Sequence, residues 1–145
     1  MKTEFLMRIT LLMLVAIIAT GCIGGSSNSD EQKINDILDQ YEQATKAKDA
    51  KLIASLATYP IYIANEYVTS ETKAAERLAA NFRFIDRFEQ FEITDREISI
   101  QKNEAVATFT VKSATTSRFG PPSSEERQQT IRFRKVGKTW KITKF

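Results

Sequence analysis

Few side chains in this sequence are of types that do chemistry, and what is missing narrows the field first. Among its 145 residues there is no histidine. That removes Ser-His and Cys-His nucleophiles, imidazole acid–base catalysis and His-ligated zinc or iron. There is one cysteine, Cys22, so no intrachain disulfide forms and the domain must be held by its core alone. Cys22 stands just after an apolar run, residues 9–20, whose only polar members are Thr10 and Thr20. Lys2 and Arg8 precede that run. A basic leader, an apolar stretch of about 7–15 residues and small residues at its end make a secretory signal. A membrane-spanning helix needs about 20 apolar residues, and Gly/Ser/Asn sequence begins too soon for that. A buried core helix is also a poor fit, because the run has no polar face to give to water.

Ala19-Thr20-Gly21-Cys22 resembles the lipobox of bacterial lipoproteins, a small-residue tripeptide before an invariant cysteine. The resemblance implies a diacylglycerol thioether on Cys22, cleavage between Gly21 and Cys22, and acylation of the new amino terminus with a palmitate-type chain. Two or more such chains anchor a protein stably. The expected partner is therefore a membrane, reached through the lipid on Cys22. The expected location is outside the cytoplasm, lipid-anchored to the cell membrane.

The elements that would position any site lie in the rest of the chain. Residues 1–21 are the expected signal, 22–29 a flexible Gly/Ser linker carrying Cys22, and 30–145 one domain. A flexible linker of about eight residues spans roughly 15 Å, so the domain would sit close to the bilayer. The formal charge of +3 falls to +2 once Lys2, Glu4 and Arg8 are removed, too mild to argue for nucleic acid as a partner. After Glu126 seven cations and no acid follow, which reads as a solvated sheet face that could also lie against anionic headgroups.

Residues 30–48 carry Ile34, Ile37, Leu38, Tyr41 and Ala44 at helical spacing, with Ser29 or Asp30 as cap. Asp49 caps a short second helix with Leu52, Ile53 and Leu56 inward, ended by Tyr59-Pro60. Residues 61–68 are expected as one short strand. Ser70 caps a third helix, residues 71–90, whose stripe is Ala75, Leu78, Ala79, Phe82, Ile85 and Phe88, widened by Phe84 and Phe91. From Phe91 the period becomes two. Ile93, Ile98 and Ile100 break phase, which predicts a bulge between Thr94 and Glu97. Ala105, Ala107, Phe109 and Val111 alternate cleanly; residues 118–124 form a loop. Ile131 and Phe133 share a face, and Gly137-Lys138 turns the chain towards inward Trp140 and Ile142.

The order helix, helix, strand, helix, then antiparallel strands resembles the nuclear-transport-factor-2-like superfamily, also described as cystatin-like, which includes ketosteroid isomerases. The carriers are Tyr41-Glu42-Gln43-Ala44-Thr45-Lys46-Ala47-Lys48-Asp49 and the closing Gly137-Lys138-Thr139-Trp140-Lys141-Ile142, with residues 93–98 and 105–107 as the strand pair between them. The resemblance implies an α+β cone, with N-terminal helices packed in the concave face of a curved antiparallel sheet. It also implies a pocket at the open end and a homodimer through the outer sheet surface. The candidate pocket residues are Tyr41, Ile63, Phe82, Phe109, Trp140 and Ile142. An alternative is that Phe82, Phe109 and Trp140 fill the cavity.

In ketosteroid isomerases a tyrosine on the first helix and a protonated aspartate hold the substrate oxygen while a second aspartate moves the proton. Tyr41 matches the tyrosine. The base position falls on Asn65, which cannot take and return a proton at neutral pH. Glu66 is one residue along and, on a strand, would point the other way. Residues 105–124 contain no acid and none follows Glu126, so the sheet is expected to supply no second carboxylate. The sequence therefore favours a non-catalytic lipoprotein, with no catalytic residues, metal or cofactor, that binds a small apolar ligand or an envelope protein. The alternative is an isomerase- or dehydratase-like enzyme working with Tyr41 and Glu66.

Overall fold

The computed structural model describes residues 25–63 and 65–145. The residues expected as a signal, Gly21 and the expected lipidation site Cys22 lie outside them. The described chain is α+β, with helices leading into an antiparallel sheet. Its elements are α1 (Gly25–Lys46), α2 (Ala50–Ser55), β1 (Ile61–Ile63), β2 (Glu66–Val68), α3 (Glu71–Phe82), β3 (Ile85–Gln101), β4 (Glu104–Ser117), β5 (Ser123–Val136) and β6 (Thr139–Lys144). The sheet order is β3-β4-β5-β6, and β1 and β2 form a separate hairpin. No helix among the described residues is long and apolar enough to cross a membrane.

Helix α1 starts at Gly25, inside the stretch expected as linker, so Asp30 lies within the helix and does not cap it. Ser and Asn cost only a few tenths of a kcal/mol in a helix, and extending a nucleated helix is easy where no proline stands in the way. Ile34 and Leu38 of α1 are fully buried against the sheet. Polar ties fix the helix along the edge strand β3. Glu42 accepts a hydrogen bond from the Ile93 N–H at 3.1 Å, a donor that an edge strand would otherwise leave to water. Arg96 reaches Asp39 at 2.7 Å and Glu42 at 3.7 Å. At the helix end Lys48 takes a left-handed conformation, and its Nζ donates to the Ile85 carbonyl at 3.0 Å.

The second and third helices start where their caps predict. Asp49 accepts from Leu52 N–H and Ser70 from Lys73 N–H. Two expectations fail here. Residues 61–68 are not one strand but the hairpin β1–β2, with Asn65 at positive φ in its turn. Helix α3 stops at Phe82, not residue 90, and the chain is already in β3 at Ile85. The cause is legible in the register. Strand β3 is shifted against β4 between Ile85 and Arg87 and again between Phe88 and Gln90. Each bulge inserts an extra residue, so inward positions fall at 85, 88 and 91, a three-residue step that imitates a helix. The bulge expected between Thr94 and Glu97 is present, with Asp95 at positive φ.

Strands β4 and β5 pair without a shift from Glu104 to Thr115, β5 and β6 pair with one irregularity between Arg132 and Phe133, and the loop at Leu56–Thr58 adds on to β6 through Thr58 N–H to Ile142 O at 2.8 Å. The inward residues Phe109, Ile131, Phe133, Trp140 and Ile142 are at most 2 % exposed. They form the centre of the core, packed under α1 and α2.

Candidate functional site

The inner face of the sheet changes character along its length. Counting back on β5 from Phe133 and Ile131, the same alternation brings Gln129, Arg127 and Glu125 inward. Their β4 partners are Phe109, Val111 and Ser113. At that end of the sheet a cavity of about 570 Å3 opens between α1, α3, the β1–β2 hairpin, β3, β4 and β5. This lies in the usual range for small-molecule sites, about 300–1,000 Å3.

Two walls of different chemistry face each other across it. One is aromatic. Phe145, Tyr41, Phe91, Phe88 and Phe82 form a continuous chain of tilted and edge-to-face contacts, with centroid separations of 5.9, 6.3, 5.6 and 6.3 Å. Leu78, Ile53 and Val111 extend that apolar surface. The other wall is polar and comes from β4 and β5: Ser113, Thr115, Ser123, Glu125 and Arg127. Asn65 and Asn81 close the rim.

Tyr41 sits where the two walls meet. Burial pushes its phenol above the ordinary tyrosine range, with Gln129, the charge of Arg127 and Thr45 pulling the other way. The phenol therefore stays a neutral O–H, able to donate or accept. Glu125 and Arg127 form a loose ion pair, Nε to Oε1 at 3.8 Å, with more than half of each side chain in water.

The structure sorts the sequence candidates clearly. Tyr41, Ile63 and Phe82 line the cavity. Phe109, Trp140 and Ile142 do not; they are buried at 1 % exposure or less in the core behind it. The sheet alternation that pointed them inward is right, but at that end side chains from α1 and α2 fill the space. Phe82 stands at the cavity wall, so the cavity is not filled as the alternative supposed.

Glu66 is not brought to Tyr41. Its side chain is 59 % exposed and pairs with Arg77 of α3 in a separate surface groove. Asn65, its neighbour, faces the cavity together with Tyr62 and Ile63 of the hairpin. The enzyme expectation built on Tyr41 with Glu66 therefore loses its proton carrier. The expectation that the sheet supplies no carboxylate is also corrected. Glu125 lies just past the loop, in phase with Ile131 and Phe133, and that phase, carried six residues back, is the signal that finds it. Arg127 belongs to the same correction. It faces the cavity, whereas Arg132 and Arg134 lie on the exposed outer face.

A groove of about 800 Å3 between α2 and α3 is larger, but Lys51, Glu71, Thr72 and Glu76 make it a solvated seam. Among the described residues no group of three or more His, Cys, Asp or Glu side chains is placed to hold a metal ion.

No protein-family model matches the sequence, and no curated protein matches it. Solved structures do. A nuclear transport factor 2-like superfamily protein from Salmonella enterica serovar Typhimurium superposes with a TM-score of 0.70 at 16 % identity, covering 81 % of this chain and 89 % of that one. The fold is nuclear-transport-factor-2-like. A protein described as a candidate scytalone dehydratase from Novosphingobium aromaticivorans gives 0.69 at 15 % identity, covering 82 % and 83 %. A further protein of this fold from the same species, described as cystatin-like, gives 0.63 at 12 %, covering 82 % and 80 %. At these identities the likeness concerns the fold.

Proposed function

We propose that this chain is an exported, non-catalytic binding module, held to the cell membrane through a lipid on Cys22, that takes a small, mainly apolar molecule in the open end of its cone. The observation that carries the reading is the cavity of about 570 Å3 with its unbroken aromatic wall. A continuous, half-buried aromatic wall facing a void has no use in a core, where such space is normally filled. Among the described lining residues Glu125 is the one carboxylate, and it is solvated and paired. The lipid anchor is supported by the lipobox resemblance at residues 19–22. A homodimer would use the outer sheet face, where Thr108 and Thr130 meet across the strands at 3.3 Å.

Mass spectrometry of the protein made in its cell tests both parts. A Cys22 carrying diacylglycerol and a new amino terminus is expected, together with a small molecule retained under native conditions. Ser113→Trp places an indole in the cavity and is expected to release that molecule. An unmodified thiol with an intact leader removes the anchor. A molecule retained equally by Ser113→Trp removes the cavity.

One observation favours a second reading. Glu125 shares the cavity with Tyr41, and one protein of this fold is described as a candidate dehydratase. An isomerase- or dehydratase-like enzyme would then use Glu125 in the place expected for Glu66.

A further inference from the structure

We propose that the cavity is built for an amphipathic anion, an apolar body ending in a carboxylate, and that Arg127 binds the charged end. This rests on the ligand-binding reading above and names its ligand class. Arg127 is the one cation among the described lining residues. Its place is set by β5 register, opposite Val111. Its guanidinium makes no hydrogen bond among the described residues, because Glu125 approaches only Nε and stops at 3.8 Å, beyond hydrogen-bond reach. The outer fork of the guanidinium is left to water. That fork matches the two oxygens of a carboxylate.

Two further features converge on the same space. The Tyr41 phenol lines the same cavity as Arg127 and keeps its proton, so it offers a second donor to the ligand. The walls are also segregated. Phe82, Phe88 and Phe91 stand on the α3/β3 side, whereas Ser113, Ser123, Glu125 and Arg127 stand on the β4/β5 side. A purely apolar ligand would cover the second wall and strip water from its polar groups without return. A ligand with one charged end satisfies both walls at once.

Calorimetric titration of the full-length chain carrying Cys22→Ser, which keeps it free of lipid, compares decanoate with decanol. Decanoate is expected to bind about tenfold more tightly than decanol, the size of one charge-assisted hydrogen-bonded contact at a partly exposed site. Arg127→Met is expected to bring decanoate down to the level of decanol and to leave decanol unchanged. Glu125→Gln, which removes the competing carboxylate, is expected to tighten decanoate a few-fold. Equal binding of the two probes, or an Arg127→Met loss shared by both, overturns the anion site while the apolar cavity stands. Weaker decanoate binding in Glu125→Gln also overturns it. Absence of binding by either probe overturns the cavity reading and this inference together.

Discussion

The two ends of the cone are built from the same strands and end in opposite ways. At the closed end β5 and β6 present Phe133, Trp140 and Ile142, and every one is buried to within 2 %. At the open end, three and four alternations before Phe133, β5 presents Arg127 and Glu125, both more than half exposed. The ion pairs follow suit. Lys135 meets Asp30 of α1 at 2.8 Å with 26 % and 11 % of their side chains exposed, and Lys135 also stands 5.7 Å from the Trp140 ring centre. Arg127 and Glu125 meet at 3.8 Å in water. One end is filled and sealed, and the other leaves a lined cavity and hydrated charge. The lesson is that an inward-facing position on this sheet is core or cavity wall according to what α1 and α2 place over it.

The largest test of that division is Trp140→Ala. A fully buried indole at 1 % exposure leaves a cavity that the surrounding strands cannot close. A loss of about 3–5 kcal/mol is expected, read from the denaturant midpoint. A loss below about 1 kcal/mol would mean that the closed end is loosely packed and the contrast false.

Asp30→Asn comes next and probes the seal rather than the filling. The ammonium of Lys135 beside Asp30, with Trp140 and Lys33 adding to it, lowers its carboxyl from 3.8 to about 2. A carboxyl whose folded value lies below its unfolded value stabilises the fold fully above the unfolded value and loses that contribution as pH falls towards the folded one. The protein is therefore expected to be more stable than Asp30→Asn at pH 5 to 7, and the difference should vanish as pH drops from 3.8 towards about 2. Thermal melts across that window measure it. A pH-independent difference would show that the pair acts by packing alone.

How much of this is legible in the sequence depends on distance along the chain. The caps Asp49 and Ser70, the bulge after Thr94 and the alternation through Val111 are set by residues a few positions apart, and all can be read there. Helix α3 is overextended because two bulges in β3 space Ile85, Phe88 and Phe91 three apart, and only pairing with β4, about 30 residues later, reveals the strand. The site divides in the same way. Tyr41 and Phe82 are found from helix stripes. Phe109 and Trp140 are correctly inward yet behind the cavity, since which end of the sheet α1 and α2 cover is a tertiary fact. Arg127 and Glu125 lie in a run that counts as charged surface until the phase of Ile131 is followed back through it.

The smallest expected effect is the sharpest discriminator between the two ends. Glu125→Gln removes one partner of an ion pair, as Asp30→Asn does, but both of its side chains are already hydrated. Exposed pairs contribute about 0–1 kcal/mol, and a surface change of this kind stays within about 0.5 kcal/mol. Stability should be unchanged at neutral pH within that margin. If Glu125→Gln instead unfolds the protein as readily as Asp30→Asn, the open-end pair is a structural seal. Arg127 would then have no freedom to meet a ligand.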